Sequence, residues 1–225
     1  MTETYGVKYI GSKASLIPSI LKCIDEHIPS NSIKSAIDVF TGTTRVAQAF
    51  KQRGWTVTTS DLSWASSCYS STWIGNETTN THLQEKINHL NQMKGVDGWL
   101  TTNYCDVKGD QGSTVRVWQP KNGRKADAIR DQIETWSDTK EIKQWEKDTL
   151  ITSLILALDK VDNTVGVQQA YLKEWCIRSN KDLVLELPKH VNGPQGKHLS
   201  GNALTLPYEA ADIAYVDPPY SAHCL

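Results

Sequence analysis

The sequence lacks the features that define several protein classes. No apolar run in its 225 residues is long enough to span a membrane, and the amino terminus has no hydrophobic signal-peptide core. The five cysteines are odd in number and none forms a CxxC pair, which argues against a zinc site and a disulfide framework. We therefore expect a cytoplasmic protein with no membrane partner and no bound metal.

Charge is nearly balanced along the chain as a whole. The formal net charge of −1 excludes a histone-like polycation. Two stretches, 116–125 and 188–201, nevertheless carry basic side chains and no acid. Such stretches either contact nucleic-acid phosphates or are solvated loops, and composition does not separate the two. The candidate phosphate contacts are Arg116, Lys121, Arg124, Lys125, Lys189 and Lys197.

Hydrophobic periodicity predicts alternating strands and helices near the two ends of the chain. The predicted helices are 15–27, 45–53, parts of 62–98 including 82–93, 124–136, 141–160 and a short one at 168–178. The predicted strands are 35–40, 55–60, 183–187 and 213–216, and 188–200 is predicted to be a loop. The pattern favours an α/β fold in which residues 1–80 and 201–225 form the core and 81–200 form a mainly helical insert.

The turn after the first predicted strand carries a glycine. The segment Asp38-Val39-Phe40-Thr41-Gly42-Thr43-Thr44 ends this strand and opens a helix. In a doubly wound sheet, ligands bind at this edge, and glycine lets the backbone pass close to them. One glycine instead of the three of GxGxxG argues against a pyrophosphate cradle and for a smaller contact, such as an amino acid moiety. A simple tight turn is the alternative.

Two further charged residues suit a nucleoside-type ligand. Asp61 ends the second predicted strand, about 20 residues after Gly42, where an acid commonly binds a ribose hydroxyl. A helix N-cap is the alternative for Asp61. Lys13 follows the flexible Gly11-Ser12 pair and is either a partner for a carboxylate or phosphate, or an ordinary surface lysine.

The most informative segment is Asp217-Pro218-Pro219-Tyr220, directly after the last predicted strand. The prolines fix the backbone and leave nearby carbonyls outside any sheet ladder. An acid, a prolyl carbonyl and an aromatic ring together suit an exocyclic amino group on a planar ring. The acid and the carbonyl accept its two N–H bonds while the tyrosine stacks on the ring. A turn that contains these residues by chance is the alternative.

Taken in order, these motifs resemble the D12-class, Dam-like N6-adenine DNA methyltransferases. The matching segments are Lys8-Tyr9-x-Gly11-x-Lys13, Asp38-x-Phe40-x-Gly42-Thr43, Asp61 and Asp217-Pro218-Pro219-Tyr220. In the middle, Asn122-Gly123-Arg124-Lys125 and Asp159-Lys160-Val161-x-Asn163-Thr164 also look like that family. The resemblance implies a Rossmann-like, S-adenosylmethionine-dependent sheet.

The resemblance also implies a reaction and a set of site residues. Such enzymes transfer the methyl group of S-adenosylmethionine to N6 of adenine in double-stranded DNA, often beside a cognate restriction endonuclease. The resemblance implies that the cofactor is bound by Tyr9, Gly11, Lys13, Asp38, Phe40, Gly42, Asp61 and Asn202. It implies that the catalytic residues are Asp217, Pro218, Pro219 and Tyr220. The insert is expected to carry target recognition, with the adenine flipped out of the duplex.

One departure from the family concerns the carboxyl end. The chain stops five residues after Tyr220, whereas family members continue with further strands and helices. We therefore expect residues 1–225 to be the amino-terminal portion of a longer enzyme. Two alternative functions stay open: a methyltransferase for RNA or a protein amide, and an inactive remnant that binds DNA.

Overall fold

The structure, a computed structural model, describes residues 2–8, 11–29, 31–76, 81–107, 114–166 and 170–219. The chain divides into two compact units. The core unit comprises Met1–Gly6, Gly11–Thr79 and Lys189–Leu225, and the helical unit comprises Val7–Ile10 and Asn80–Pro188. The predicted site residues Tyr9 and Tyr220 lie outside the described residues.

A four-stranded parallel sheet forms the centre of the core unit, which confirms the α/β fold class. Its strands are β1 (Ser35–Val39), β2 (Thr56–Asp61), β3 (Lys197–Ser200) and β4 (Ile213–Val216), in the order β3-β2-β1-β4. The helices of this unit are α1 (Ile17–His27), α2 (Arg45–Gln52) and α3 (Trp64–Trp73). Among the described residues, β4 pairs with β1 alone.

Apolar packing joins α2 to the sheet. Phe50 of α2 is fully buried, and its ring lies 5.1 Å from that of Trp55 and 6.4 Å from that of Tyr215 on β4. Val57 on β2 is also fully buried, as expected for a β-branched residue in a central strand. The local sequence pattern therefore agrees with the tertiary contacts in this βαβ segment.

The helical unit packs around four helices. They are α4 (Gln84–Gln92), α5 (Trp99–Tyr104), α6 (Pro120–Asp138) and α7 (Gln144–Lys160). Ile129 and Ile133 on α6 and Leu150 on α7 are fully buried. Helix α5 approaches α6 at Gly123, where an added Cβ would lie 2.3 Å from the sulfur of Cys105. A glycine is therefore required at this contact.

The short helix predicted at 168–178 is wrong in the part that is described. Residues 170–176 are not helical, and a 3-10 turn follows at Ile177–Asn180. The side chain of Asn163 forms hydrogen bonds with backbone amide and carbonyl groups that would pair with each other within a helix. It accepts a hydrogen bond from the Cys176 amide at 2.9 Å and donates one to the Leu172 carbonyl at 3.0 Å. A buried asparagine thus competes successfully with the helix.

The strand predicted at 183–187 is also wrong, although the segment is apolar. Its backbone pairs with asparagine side chains of two helices instead of with a strand. The Leu183 amide donates to Oδ1 of Asn122 at 3.0 Å, and the Leu185 amide donates to Oδ1 of Asn91 at 2.8 Å. The asparagine side chains therefore provide hydrogen-bond partners for the buried backbone amides of this segment, and no neighbouring strand is needed.

Two elements of secondary structure were not predicted from the sequence. Strand β3 lies within a predicted loop because Lys197–Ser200 is short and polar, yet it pairs with β2 over four residues. Helix α5 has weak periodicity, and its first turn is held by a residue of another helix. Asp127 on α6 accepts hydrogen bonds from the amides of Leu100 and Thr101, each at 2.9 Å. Neither feature leaves a local signal in the sequence.

Two observations concern features predicted to be absent. No helix in the described part of the chain is long and apolar enough to cross a membrane. The cysteines at 23, 68, 105 and 176 are free thiols. Cys224 lies outside the described residues.

The buried ammonium of Lys51 generates a stability prediction. It donates hydrogen bonds to the carbonyls of Trp73 and Ile74, each at 3.0 Å, and to that of Asn76. These carbonyls lie at and beyond the end of α3, where a cation is favourable. We expect Lys51→Met to lower the free energy of unfolding by about 3 kcal/mol, because it leaves buried carbonyls without this donor. Denaturant unfolding measures the loss.

The matched control is Lys22→Met on α1, whose side chain is 76% exposed. This change should alter stability by less than about 0.5 kcal/mol. Equal stability of the two variants would contradict the capping role of Lys51.

Candidate active site

Three strands bring their carboxyl ends to one edge of the sheet. In the register of the sheet, Val39 is the partner of both Ser60 and Val216. The residues that follow these strands therefore emerge side by side. The edge gathers the glycine turn after β1, Asp61 at the end of β2 and Asp217 after β4. The parallel topology thus assembles side chains that are far apart in the sequence.

The glycine turn, residues 40–44, has an unusual backbone. Phe40, Gly42 and Thr44 all have positive φ, at 61°, 53° and 61°. This conformation suits glycine but is strained for phenylalanine and threonine, at roughly 1 kcal/mol or more for each. The turn is tied to the sheet by a hydrogen bond from the Thr41 amide to the Ser60 carbonyl at 3.0 Å. Tertiary contacts therefore maintain a shape that the turn would not adopt alone.

Asp61 binds the glycine turn directly. Its Oδ2 accepts the Gly42 amide at 2.9 Å, and its Oδ1 accepts the Ser63 amide at 2.8 Å. The second bond precedes α3, whose N-cap residue is Ser63, so Asp61 does not have the N-cap role considered as the alternative. Because a carboxylate has about four acceptor positions, these two bonds leave others for a ligand hydroxyl.

Lys13 lies against Asp217. The lysine Nζ is 2.5 Å from Oδ2 of Asp217, and their side chains are 17% and 23% exposed. The same Nζ donates to the Gly11 carbonyl at 3.2 Å. The lysine predicted to bind the cofactor therefore forms an ion pair with the acid predicted to be catalytic. Whether it also contacts a cofactor stays a prediction.

Asp38 faces the helix behind the turn. It is 2% exposed, and its Oδ2 accepts the Thr41 hydroxyl at 2.7 Å and the Ala47 amide at 3.1 Å. Burial and, to a smaller extent, the charges of Asp217 and Asp61 together raise the pKa of Asp38 to about 7, although these hydrogen bonds lower it. The described contacts of Asp38 position the turn, while its predicted contact with a cofactor stays untested.

The remaining predicted cofactor residue follows β3. Asn202 is exposed, next to Gly201, whose amide donates to the Asp61 carbonyl at 3.0 Å. The Asn202 side chain caps its own turn by accepting the Leu204 amide at 3.0 Å. Leu62 directly follows Asp61 and is 75% exposed, and Leu204 lies two residues after Asn202 and is 91% exposed. Polar and apolar groups therefore alternate along this part of the edge.

The prolyl corner begins at the end of β4. Pro218 and Pro219 are exposed, and Asp217 precedes them at the sheet edge. The structure brings together the predicted residues Lys13, Asp217 and the prolines.

Each predicted phosphate-binding residue already has a partner within the chain. Five form ion pairs: Arg116 with Asp106, Lys121 with Asp182, Arg124 with Asp97, Lys189 with Glu3, and Lys197 with Glu209. Lys125 donates to the Asn91 carbonyl at 2.7 Å. Surface ion pairs contribute only about 0–1 kcal/mol, so phosphates can replace such partners. Contact with DNA stays a prediction for all six.

Sequence reasoning missed one residue that sets the geometry of the catalytic strand. Oδ2 of Asp212 accepts hydrogen bonds from the amides of Lys34 and Ser35, each at 2.8 Å, and from the Ser35 hydroxyl at 2.9 Å. These bonds join the starts of β4 and β1 and so fix their register. An acid directly before a predicted strand is the signal that could have indicated this role.

Metal binding finds no support in the part of the chain that the structure describes. It contains no group of three or more His, Cys, Asp or Glu side chains placed to hold an ion.

The glycine turn, the acid on the neighbouring strand and the acid–proline corner share one edge of a parallel sheet, as in nucleotide-binding α/β enzymes. The family model of the D12 class N6 adenine-specific DNA methyltransferases matches residues 9–224. The chain belongs to this family, which confirms the resemblance and the methyltransferase fold class.

Several curated relatives are modification methylases. The chain is 32% identical to the modification methylase StsI of Streptococcus sanguinis over 96% of its own length and 34% of the relative. It is 31% identical to the type II methyltransferase M.NlaIII of Neisseria lactamica over 96% of its length and 65% of the relative. M.CviAII of Paramecium bursaria Chlorella virus 1 is 27% identical, with coverages of 96% and 64%.

The chain thus spans about one third to two thirds of the length of these relatives. No solved structure matches it.

The raised pKa of Asp38 generates a pH prediction. The folded chain holds this proton more tightly than the unfolded chain, whose carboxyl has its ordinary pKa of 3.8. The resulting stability is fully present below pH 3.8 and is lost as the pH rises through about 7. Asp38→Asn cannot ionise. We therefore expect the stability of the wild type, relative to this variant, to fall by a few kcal/mol between pH 4 and pH 8.

Denaturant unfolding at several pH values measures this difference. The control is Asp25→Asn, because Asp25 is exposed and its pKa is lowered by a hydrogen bond from Arg53, so any trend has the opposite sign. A pH-independent difference for Asp38→Asn would show that folding does not raise the pKa of Asp38.

Proposed function

We propose that this protein transfers the methyl group of S-adenosylmethionine to N6 of adenine in double-stranded DNA. One observation carries the proposal: the Gly42 turn and Asp61 are hydrogen-bonded at the same sheet edge at which Asp217 begins the prolyl corner. This places candidate groups for a nucleoside cofactor beside candidate groups for an amine. Family membership supports the same reaction.

The residues at the edge fit the parts of this cofactor. The Asp61 carboxylate suits ribose hydroxyls, since it has acceptor positions beyond its two backbone bonds. The exposed Leu62 and Leu204 suit the faces of an adenine ring, and Asn202 suits its polar edge. The Gly42 turn, close to the first turn of α2, suits the methionine part. We assign Tyr9, Gly11, Lys13, Asp38 and Phe40 to the same pocket on the family resemblance.

When bound, S-adenosylmethionine supplies a methyl group on a positively charged sulfonium. The chain's task is to orient the acceptor nitrogen. Asp217 and the Pro218 carbonyl accept the two N–H bonds of the adenine amine, which favours localisation of its lone pair. Tyr220 stacks on the flipped base. The bound cofactor would supply the methyl group and keep the carbon–sulfur electron pair, and Asp217 or water would take the proton that the amine releases.

Lys13 has a defined place in this scheme. Its ammonium occupies, on Asp217, a position that the adenine amine is proposed to take. Entry of the base therefore requires exchange of one donor for another, with the ammonium turning toward an anionic group such as the cofactor carboxylate.

Target recognition is assigned to the helical unit. Its basic residues Arg116, Lys121, Arg124 and Lys125 are the proposed phosphate contacts, together with Lys189 and Lys197 of the core unit. Phosphate contacts give affinity and register, whereas base contacts give specificity. We further propose that the protein is of the restriction–modification or phage type, with a restriction endonuclease as cognate partner.

The proposed reaction is tested with the protein expressed from its complete reading frame. Duplex DNA lacking adenine methylation is incubated with the protein and S-adenosylmethionine. The DNA is then digested to nucleosides, which are identified by mass spectrometry. N6-methyladenine is the expected product. Methylation of cytosine alone, or of RNA or protein in place of DNA, would contradict the proposal.

Asp217→Ala is expected to lower the rate of methyl transfer by about 100-fold or more, because the acceptor of the amine N–H is lost. Affinity for S-adenosylmethionine should change by less than about threefold, since a group that acts on the acceptor contributes mainly to kcat. Single-turnover kinetics and calorimetry measure the two effects. Glu26→Ala, an exposed acid on α1, is the control. A fully active Asp217→Ala protein would refute the catalytic role.

The basic stretch of α6 yields a salt-dependence prediction. If Lys121 and Arg124 contact phosphates, replacing both with alanine should reduce the slope of log K against log salt by about 2. Binding should weaken similarly for all DNA sequences. Lys22→Ala with Lys34→Ala, in the core unit, is the control pair. An unchanged slope in the double variant would show that these side chains keep their acidic partners on DNA.

A further inference from the structure

A short amino-terminal segment, residues 3–6, is bound along helix α2 through its backbone. We call this segment the strap. Three side chains of α2 contact it: Arg45, Gln48 and Gln52. Their spacing of three and four residues places them on one face of the helix. A row of polar side chains aimed at one extended segment is a built feature, not a chance surface contact.

The hydrogen bonds follow the strap residue by residue. Gln52 donates to the Glu3 carbonyl at 2.7 Å, and Arg45 donates to the Thr4 and Gly6 carbonyls at 2.5 and 2.9 Å. All of these acceptors are main-chain atoms. The helix therefore recognises mainly the backbone of the strap, and its one bond to a strap side chain is the longer one from Arg45 to the Thr4 hydroxyl at 3.4 Å.

Gln48 is the centre of this row. It is fully buried, and its side-chain amide pairs with both backbone groups of Tyr5: Oε1 accepts the Tyr5 amide and Nε2 donates to the Tyr5 carbonyl, each at 2.8 Å. The same Nε2 donates to the Thr44 hydroxyl at 3.0 Å. A buried glutamine left without these partners would be costly, so the strap and Gln48 require each other.

The strap also contacts the strained turn of the candidate active site. Thr44, which Gln48 binds, has positive φ and ends the glycine turn. Gly6 has a φ of +154°, and a Cβ added there would lie 3.2 Å from Cβ of Thr43. A side chain at position 6 would therefore press on the turn. One end of the strap thus packs against Thr43, and Gln48 links the strap to Thr44.

We propose that the strap is a positioning element of the cofactor site, which holds the Gly42 turn in its left-handed conformation through Gln48 and Gly6. The proposal rests on the proposed function for the identity of the ligand, S-adenosylmethionine. Docking of the strap and binding of the ligand to the turn are then coupled, because each favours the same turn conformation. Coupling of this kind is reciprocal and typically 5- to 150-fold in affinity.

The test uses the fact that recognition is through the backbone. Tyr5→Pro removes the amide donor that Gln48 accepts, whereas Tyr5→Ala keeps it and removes only the ring. Gly6→Val is a second variant that presses on Thr43 from the strap side. All three changes lie in an amino-terminal segment outside the sheet and its helices, so the fold itself is retained. A single cooperative transition, with a melting temperature lowered by no more than the several degrees expected for the loss of one buried hydrogen bond, would verify this.

The first measurement needs no ligand. Hydrogen–deuterium exchange is followed for peptides that cover residues 38–47. In Tyr5→Pro and Gly6→Val, exchange of the turn amides should be about tenfold faster than in the wild type, because the clamp on the turn is loosened. In Tyr5→Ala, it should stay within about twofold. Equal exchange in the proline and alanine variants would overturn the proposal.

The second measurement is calorimetric titration with S-adenosylmethionine. Tyr5→Pro should bind about tenfold more weakly than the wild type, and Tyr5→Ala should bind normally. If the turn exchanges faster but the proline variant keeps full affinity, the positioning role is refuted. If the wild type itself binds no cofactor, the proposed function fails, while the exchange measurement still decides whether the strap holds the turn.

Discussion

The hydrogen bond between the Gly42 amide and the Asp61 carboxylate is the interaction on which the site depends. It joins the turn after β1 to the end of β2 at 2.9 Å. The turn contains two non-glycine residues with positive φ, and such strain persists only where surrounding contacts fix it. Asp38 fixes the turn from the helix side and Asp61 from the neighbouring strand. The two acids therefore convert a strained turn into a defined surface.

Charge balance at the edge follows from the same arrangement. Three carboxylates interact there, and the charges of Asp61 and Asp217 raise the pKa of the buried Asp38. Lys13 offsets part of this negative charge by its contact with Asp217. A negative edge suits a positively charged sulfonium better than a neutral thioether. In the proposed reaction, the same field would therefore favour the methyl donor over the demethylated product.

Much of the core could be predicted because its signals are local. The βαβ segment and the strand Ile213–Val216 carry clear periodicity, which indicates three of the four strands of the sheet. The shared edge of Gly42, Asp61 and Asp217 could be expected on the same grounds. Family motifs then indicated a reaction that the sheet alone does not specify.

The features that could not be predicted depend on contacts between distant residues. Strand β3 is short and polar, and its place is fixed by β2. The apolar segment at 183–187 is held by Asn91 and Asn122 and not by a strand. The contact of Lys13 with Asp217 joins the two ends of the chain. In each case the partner, not the local pattern, decides the structure.

The central claim is that the edge formed by the Gly42 turn and Asp61 binds S-adenosylmethionine. The most direct measurement is a two-dimensional amide spectrum of the isotope-labelled chain, recorded during titration with this cofactor. The account predicts saturable shifts of the amides of Gly42, Ser63 and Gly201, with amides of the helical unit largely unchanged. Saturable shifts confined to the helical unit, or none at the three named amides, would contradict it.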